Sequence, residues 1–524
     1  MELLSNLALG AQVAFQADAL LFCFIGVTLG TLIGALPGIG PLAAISVCLP
    51  LTFGMEPTVA LIMLAGIFYG AQYGGSIASI LLNLPGTPST AITALDGYPM
   101  AQKGRAGLAL FINAFASFCG SSISILLLMF FAPFIAAIAL KFHSTEYFAI
   151  MLLGLVSAAT LSGGAPVKSL IMVLFGLLLG VVGLDSNSGT ARFTLGFLEL
   201  SDGLSLIPVA MGLFGVAEVL MKMEAARKSD ASPAKVERVR LADLIPERSI
   251  LRKLVAPILR GASVGAVIGA LPGAGPTVAS LMAYSFEKQT NKAGDKFGTG
   301  EPAGVAAPEA ANNAAVQTAF IPTLGLGIPG DVVMAVLLGA MMMHGIVPGP
   351  RFIPTEPEVF WGLVISFWLG NVMLLMLNLP MIGVFVRLLS VPASILLPII
   401  VFFICMGSYS VANNPFDIYV TLFFGVLGYF LVKSGFSPAP VLLGFVLGPL
   451  VEDNLRRTMT IARGDATVFL DRPIALVLLI MTALVVLLPI GRAVMKMLAE
   501  RRAGRDGDAG SKSVLMQPVP DSEQ

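Results

Sequence analysis

The chain has 524 residues, of which 56% are hydrophobic and 12% are charged, and its mean hydropathy is +0.89. One soluble core cannot bury so much apolar surface, so the composition excludes an ordinary soluble protein and indicates an integral membrane protein. The 31 basic residues are balanced by 31 acidic ones, which argues against nucleic-acid binding or a peripheral basic helix as the main role.

The first half of the chain is a series of apolar segments with few charges. Residues 1–102 contain no lysine or arginine, and the first basic residues are Lys103 and Arg105. A membrane crossing needs about 20 apolar residues, so these segments are candidate membrane helices. They lie near residues 19–36, 41–53, 58–80, 108–131, 146–165, 167–184 and 203–221.

The composition changes sharply between residues 222 and 253, where nine residues are basic and five are acidic. Basic loops of membrane proteins stay in the cytoplasm, so this segment is predicted to be a cytoplasmic linker. The tail is rich in Gly, Asp, Ser and Pro and is predicted to be disordered and cytoplasmic. The predicted units are a first transmembrane repeat at 1–221, the linker at 222–253, a second transmembrane repeat at 254–502 and the tail at 503–524.

The second half repeats short breaker motifs of the first. The sequence GALPGIGP at 34–41 returns as GALPGAGP at 269–276. A Pro-Gly motif follows each copy, LPGT at 84–87 and IPGD at 328–331. Further apolar segments flank the second copy or lie near residues 359–386, 391–409, 414–432, 438–450 and 473–491.

Loops that follow matching motifs carry opposite charge. The turn after GALPGIGP holds Glu56 and no basic residue, whereas the loop after GALPGAGP holds Lys288, Lys292 and Lys296. The second motif region shows the reverse, because it ends in basic residues in the first half but lacks them from 297 to 350 in the second. Parallel halves would show the same charge bias, so the halves are predicted to be inverted. The predicted fold class is an all-α polytopic membrane protein with about 12 transmembrane segments in two inverted-topology repeats with broken helices or re-entrant hairpins.

The glycines and prolines of these motifs expose helix ends and loop amides. Each unpaired backbone group in hydrocarbon costs several kcal/mol, so such breaks survive only where they line a cavity or are buried in protein. Paired breaks in both halves are typical of secondary transporters, whose binding site forms near the middle of the membrane. The alternative is that these residues only allow packing and kinking of membrane helices.

Polar residues surround both pairs of breaks, and none of them is a cation. The first cluster consists of Ser76, Ser79, Asn83, Thr87, Ser89, Thr90 and Thr93, and the second of Asn312, Asn313, Gln317, Thr318, Thr323 and Asp331, with Glu309 just upstream. An anionic substrate would then be held by amide dipoles, hydroxyls and bound cations, which favours coupling to sodium or protons. Asp96, Glu309 and Asp331 are candidate cation ligands or proton carriers, because carboxylates within a membrane are costly and usually functional. The alternative for each is a position at the end of a loop, in water.

The remaining signals are weak. His143 and His344 are isolated in the sequence. They are expected to be a loop residue and a packed or capping residue, and not ligands. Residues 452–457, EDNLRR, are predicted to form a charged loop. No catalytic serine, histidine and aspartate set or metalloprotease motif is present, so neither an enzyme nor a cofactor is predicted, apart from sodium or a proton as coupling ion. The four cysteines are interpreted as buried small hydrophobes and not as metal ligands: Cys23, Cys48, Cys119 and Cys405.

Three stretches carry a family resemblance: GALPGIGP, YGGSIASILLNLPGTPSTAITALDGYPMAQKG at 73–104, and residues 307–350. The last begins APEAANNAAVQTAFIPTLGLGIPG and ends MMMHGIVPGP. Together they resemble the large membrane subunit of tripartite tricarboxylate transporters, the TctA family. The resemblance implies a multi-pass subunit of the bacterial inner membrane that works with a small four-helix membrane subunit, TctB-like, and a periplasmic solute-binding protein, TctC-like. It also implies uptake of a tricarboxylate or dicarboxylate by alternating access, driven by an ion gradient, with sodium as the expected ion.

The resemblance also implies which residues form the site. Those predicted to bind substrate are Asn83, Thr87, Ser89, Thr90, Asn312, Asn313, Gly38, Gly40, Gly273 and Gly275. Those predicted to bind cations are Pro41, Pro276, Gly86, Gly330, Glu309 and Asp331. Two other functions stay open, a stand-alone ion-coupled carrier or channel and a structural membrane subunit without its own solute path.

Overall fold

The computed structural model describes residues 2–36, 40–161, 166–185, 188–228, 246–271, 273–378 and 393–487. These residues are almost entirely helical, and the sheet found among them is one short hairpin, Gly183–Leu184 paired with Ala191–Arg192. The predictions for Gly38, for the middle of the linker and for the tail at 503–524 concern residues outside these ranges.

The first half opens with α1, Glu2–Ala14, a helix that does not correspond to any predicted apolar segment. The helices that follow are α2 Ala17–Ala35, α3 Pro41–Cys48, α4 Pro57–Leu82, α5 Ala91–Gln102, α6 Ala106–Ala139, α7 Ser144–Leu161, α8 Pro166–Gly180, α9 Leu206–Ala210 and α10 Ala217–Lys228. A π-helical segment, Met211–Val216, joins α9 to α10, and a 3₁₀ turn, Pro88–Thr90, precedes α5.

The second half has the same helical character. Its helices are α11 Arg248–Gly269, α12 Gly275–Thr290, α13 Pro302–Thr318, α14 Phe320–Leu326, α15 Val332–Met343, α16 Phe352–Thr355, α17 Pro357–Asn378, α18 Ala393–Ala412, α19 Pro415–Lys433, α20 Ala439–Ile461, α21 Val468–Asp471 and α22 Pro473–Leu487. In both halves, therefore, helices end at the breaker motifs.

Six helices of the described residues are long and apolar enough to cross a membrane. They are Ala17–Ala35, Pro57–Leu82, Ala106–Ile135, Leu206–Glu224, Pro357–Asn378 and Pro415–Lys433. Shorter apolar helices, such as Val167–Gly180 and Val332–Met343, accompany them. The architecture is thus the expected all-α one, while the count of about 12 crossings and the inverted repeats stay predictions.

The apolar surface is distributed as in a protein that is surrounded by lipid. The apolar part of the central helix α4 is completely buried by other helices. By contrast, Phe130 and Phe134 on α6, Leu178 on α8 and Phe423 on α19 each expose more than half of their surface. Large apolar side chains on outer helices are costly in water but stable against hydrocarbon.

Glycines allow the helices of each half to pack closely. A Cβ atom at Gly30 of α2 would lie 2.3 Å from the carbonyl oxygen of Ile67 on α4. In the second half, a Cβ atom at Gly265 of α11 would lie 2.2 Å from the carbonyl oxygen of Ala311 on α13. Only glycine permits such a backbone approach, so in both halves the helix before the first break packs on the helical segment that leads to the second break, α4 in the first half and α13 followed by α14 in the second.

The loops that follow the breaks make reciprocal contacts between the halves. Thr52, which precedes α4, lies 3.0 Å from the imidazole Nε2 of His344, which follows α15. Lys103, which follows α5, donates to the carbonyl of Thr299, which precedes α13, over 2.5 Å. The loop after a first break in one half thus meets the loop after the second break in the other half.

The prediction of a charged loop at residues 452–457 is wrong, because these residues belong to helix α20. Glu452 and Arg456 are four residues apart and form an ion pair of 2.6 Å. Arg192 of the hairpin bonds Glu452, and Asp185 bonds both Arg192 and Arg456. The high density of charged residues suggested a loop. Within the helix, however, Glu452 and Arg456 lie on the same face, and together with Asp185 and Arg192 they form a network of ion pairs.

Candidate functional site

The Pro-Gly breaks end their helices in the same way in both halves. Asn83 ends α4 with φ +56°, and Gly327 ends α14 with φ +71°, both in the left-handed conformation. Asparagine and glycine are the residues that adopt it at least cost, which explains why the helix stops there. Thr87 and Asp331 then start the next helical segments as N-caps.

Within each half, the two breaks lie beside each other. The amide of Gly273 donates to the carbonyl of Gly330 over 2.8 Å, which joins the two breaks of the second half. In the first half, a Cβ atom at Gly86 would lie 2.3 Å from the carbonyl oxygen of Gly34 and 2.4 Å from the Cα of Gly75. The glycines of these motifs therefore allow two interrupted backbones to touch.

The breaks of the two halves also approach each other. Helix α12, which begins at Gly275, packs against the 3₁₀ turn Pro88–Thr90 of the first half. Helix α15, which begins after Asp331, packs against α3 of the first half. Pro41 and Pro276 lie in the first turns of α3 and α12, where the missing amide proton of proline costs nothing. All four breaks thus contribute to one region, although Gly38 lies outside the described residues.

Buried hydroxyls line the first-half Pro-Gly break. The amide oxygen of Gln72 accepts hydrogen bonds from Ser89 at 3.0 Å and from Thr87 at 3.3 Å. Ser79 donates to the hydroxyl of Thr90 over 2.9 Å, and that hydroxyl also accepts from the amide of Thr87. Thr87, Ser89 and Thr90 lie together and are buried, whereas the side chain of Asn83 is exposed at the end of α4.

A second set of buried polar side chains surrounds Glu309, which lies fully buried on α13. Its Oε1 accepts a hydrogen bond from Ser76 of α4 at 2.6 Å and another from Thr93 of α5. Its Oε2 accepts from Ser117 of α6 at 3.2 Å. One carboxylate of the second half is thus held by hydroxyls from three helices of the first half.

The two asparagines that follow on α13 have different surroundings. Asn313 donates to the hydroxyl of Ser117 over 2.7 Å and to the carbonyl of Glu309 over 3.1 Å. Asn312 is 1% exposed and adjoins Glu309, but neither its Nδ2 nor its Oδ1 makes a hydrogen bond of normal geometry. The Oε1 of Gln317, further along the same helix, is also buried without a partner. Buried polar atoms without partners are rare in native proteins, so these are candidate contacts for a solute or an ion.

The other two candidate carboxylates cap helix ends. Asp331 accepts from the amide of Met334 over 2.8 Å as the N-cap of α15. Asp96 accepts from the backbone amides of Gly298, Gly300 and Glu301 ahead of α13, at 2.8 to 2.9 Å. The phenol of Tyr284 also donates to Asp96 over 2.9 Å. Asp96 is 0% exposed, so it ties α5 to the second half and does not lie at a loop end in water.

Two residues of this region did not enter the predicted site. Gln72 lies in the middle of α4, four residues before Ser76, and a single amide within an apolar helix is the signal that could have identified it. Ser117 lies in the apolar run of α6, where a serine is common, so no local signal marks it.

Of the two histidines, His344 follows α15 as its C-cap, and burial lowers the pKa of its imidazole while nearby Glu56 acts in the opposite direction.

In the described part of the chain, no group of three or more His, Cys, Asp or Glu side chains could hold a metal ion. The region is instead a set of amides, hydroxyls and single carboxylates between broken helices. This chemistry suits an anion with carboxylate groups, or a hard monovalent cation that prefers oxygen ligands.

Spanning helices, with broken helices that enclose buried polar groups, define a multi-pass helical membrane protein. The model of the tripartite tricarboxylate transporter TctA family matches residues 20–443. The chain belongs to this family and is a component of a transporter, which confirms the resemblance carried by the motifs.

Two relatives of the chain come from Agrobacterium vitis. The chain is 48% identical to an "uncharacterized 52.8 kDa protein in TAR-I ttuC' 3'region" over 479 residues, which cover 91% of this chain and 94% of the relative. It is 55% identical to an "uncharacterized protein in TAR-II ttuC' 3'region" over 196 residues, 37% of this chain and 81% of that relative. No solved structure matches the chain.

Proposed function

We propose that this chain is the large transmembrane subunit of a binding-protein-dependent secondary transporter that imports a small tricarboxylate or dicarboxylate. Transport is driven by a sodium gradient and proceeds by alternating access. The partners are a small four-helix membrane subunit, TctB-like, and a periplasmic solute-binding protein, TctC-like. The observation that carries the proposal is the convergence of four helix breaks from both halves on buried polar groups, in a chain of the TctA family.

The chemistry of these groups supports a carboxylate substrate. The amide of Asn312 can donate hydrogen bonds to carboxylate oxygens, and the hydroxyls of Thr87 and Ser89 can do so in exchange for their bonds to Gln72. The start of α12 adds the positive end of a helix dipole, whereas the start of α15 is already capped by Asp331. No lysine or arginine occurs from 297 to 350, so a cation that enters with the substrate must supply the remaining positive charge.

An inverted arrangement of the halves agrees with the contacts between them. Gly30 meets Ile67 in the first half as Gly265 meets Ala311 in the second. The end loops meet crosswise, Thr52 with His344 and Lys103 with Thr299. We infer an inner-membrane location, with the basic linker and the C-terminus in the cytoplasm. The core with both pairs of broken helices moves against a scaffold of the remaining helices.

Uptake by the reconstituted system tests this function. Proteoliposomes should contain the chain, its small partner and the cognate binding protein, and should accumulate a labelled carboxylate only with an inward sodium gradient. The double variant Asn312→Ala, Asn313→Ala should lose most uptake, because it removes two buried amides beside the breaks. The matched control is Gln289→Ala at the exposed end of α12, which should keep uptake. Wild-type uptake by the double variant would contradict the proposed site.

A further inference from the structure

Glu309 is held by three hydroxyls that belong to three different helices. Ser76 of α4, Thr93 of α5 and Ser117 of α6 all reach its carboxylate, and all are at most 1% exposed. The sequence separations between Glu309 and these residues are 233, 216 and 192. The centre therefore exists only where the two halves meet.

The charge of Glu309 has no counter-charge among the described residues. Its ionised form lacks any ion pair with Lys, Arg or His in that part of the chain. A second fully buried glutamate, Glu287, provides a contrast. It takes two hydrogen bonds of 2.7 Å from the guanidinium of Arg260 and a third from Asn291. An uncompensated buried charge costs several kcal/mol, so Glu309 must either take up a proton or bind a cation from outside the chain.

The groups around Glu309 are suited to a small hard cation. Each hydroxyl donates its one proton to the carboxylate and keeps at least one lone pair that can coordinate an ion, since the Ser117 oxygen also accepts from Asn313. The free Oδ1 of Asn312, three residues further along α13, adds a neutral oxygen ligand. All these ligands are oxygens, which hard cations prefer. A single negative charge in the group balances a single positive charge, which favours a monovalent ion over calcium or magnesium.

We propose that Glu309, with the hydroxyls of Ser76, Thr93 and Ser117, forms a sodium-binding site between the two halves. This assignment rests on the proposed function, in which a cation gradient drives transport, and it locates the cation. Sodium in this site joins α13 to α4 and α5, the helices on either side of the first-half Pro-Gly break. Occupation of the site thereby stabilises the arrangement in which the substrate region is assembled.

Binding of radioactive sodium to the purified full-length chain in detergent tests the site without carboxylate, partner or transport. Saturable binding is expected for the wild type. Glu309→Gln keeps the size of the side chain but removes its charge, so its sodium affinity should fall at least about tenfold. Thr93→Val and Ser117→Ala each remove one oxygen ligand and should weaken binding by smaller factors, which covers a failure of Glu309→Gln to fold.

Thermal unfolding at constant ionic strength, with choline replacing sodium, gives a second measurement. Sodium should raise the midpoint of the wild type, because a ligand that binds only the folded state stabilises it. Glu287→Gln removes a buried carboxylate that Arg260 already neutralises, so this variant should keep the sodium response.

Two results would overturn the site, either folded wild type that binds no sodium or Glu309→Gln with wild-type affinity. A midpoint that responds to pH through Glu309 but not to sodium would assign a proton carrier instead. Failed uptake with intact sodium binding would contradict only the proposed function.

Discussion

Buried carboxylates in this protein differ in what stabilises them, and this decides the role of each. Asp96 accepts three backbone amides and a phenol, and Glu287 pairs with an arginine. Asp331 caps a helix, whereas Glu309 accepts from three hydroxyls and has no cationic partner among the described residues. From sequence, Asp96, Glu309 and Asp331 were equivalent candidates, because the partners that distinguish them are remote in sequence or belong to the backbone.

Asp96 should act as a structural tie between the halves. Asp96→Asn removes the negative charge that four donors share, so the free energy of unfolding should fall by about 1–3 kcal/mol. Thermal unfolding in detergent measures the loss, and a double-mutant cycle with Tyr284→Phe should show a coupling of about 1 kcal/mol. Asp295→Asn, an exposed carboxylate close to the same segment, is the control and should leave stability unchanged. An unaltered midpoint for Asp96→Asn would contradict the tie.

Gln72 should order the first-half Pro-Gly break. Gln72→Leu leaves the hydroxyls of Thr87 and Ser89 without their amide acceptor. Loss of a net hydrogen bond of about 1 kcal/mol should speed amide hydrogen exchange in residues 83–90 by about fivefold. Mass spectrometry of this peptide measures the effect, and Gln289→Leu on an exposed position provides the control. The same exchange rate in Gln72→Leu and wild type would show that the loop is held by other contacts.

At the scale of elements, the breaker motifs do two things at once. They end helices, which sequence could predict because proline and positive-φ residues act locally. They also let backbones of different helices touch, as Gly86 touches Gly34 and Gly75. Sequence did not identify those contacts, because many glycines in membrane helices only loosen packing.

The close packing of α2 on α4 should be sensitive to a single methyl group. Gly30→Ala places a Cβ atom 2.3 Å from the carbonyl oxygen of Ile67, so the helices must separate. The free energy of unfolding should fall by about 1–3 kcal/mol, as for other overpacked cores. Gly265→Ala should behave alike in the second half. Gly370→Ala is the matched control, because its Cβ would be 3.4 Å from the nearest atom, a methyl group of Val27. Equal midpoints for Gly30→Ala and Gly370→Ala would refute the packing argument.

For the whole molecule, the crosswise contacts between loops define two ends. Glu199 and Asp202 precede α9, and the linker follows α10 at the other end of the same continuous helical segment. Helices α11 and α12 pack on each other as a hairpin, so residues 291–296 return to the linker end. These positions allow the orientation in the membrane to be measured.

Single cysteines at the two ends should label from opposite sides of the membrane. In a variant without Cys23, Cys48, Cys119 and Cys405, Asp202→Cys should react with an impermeant maleimide in cells whose outer membrane is permeable. Lys292→Cys should react only in inverted vesicles, because basic loops stay in the cytoplasm. Both wild-type side chains are exposed, so access to the reagent is comparable. Labelling of both from the same side would contradict the proposed topology.

The sequence by itself determined the membrane class, the two pairs of helix breaks, most of the helices and the family. These follow from composition, hydrophobic run length and short motifs, which are properties of neighbouring residues. The tertiary structure decided that α20 continues through residues 452–457, that Ser117 and Gln72 belong to the polar region, and that Asp96 is a tie while Glu309 lacks a counter-charge. The physical reason is that the environment of a buried polar group depends on which helices surround it. For Glu309, those helices come from the other half of the chain, about 200 residues away.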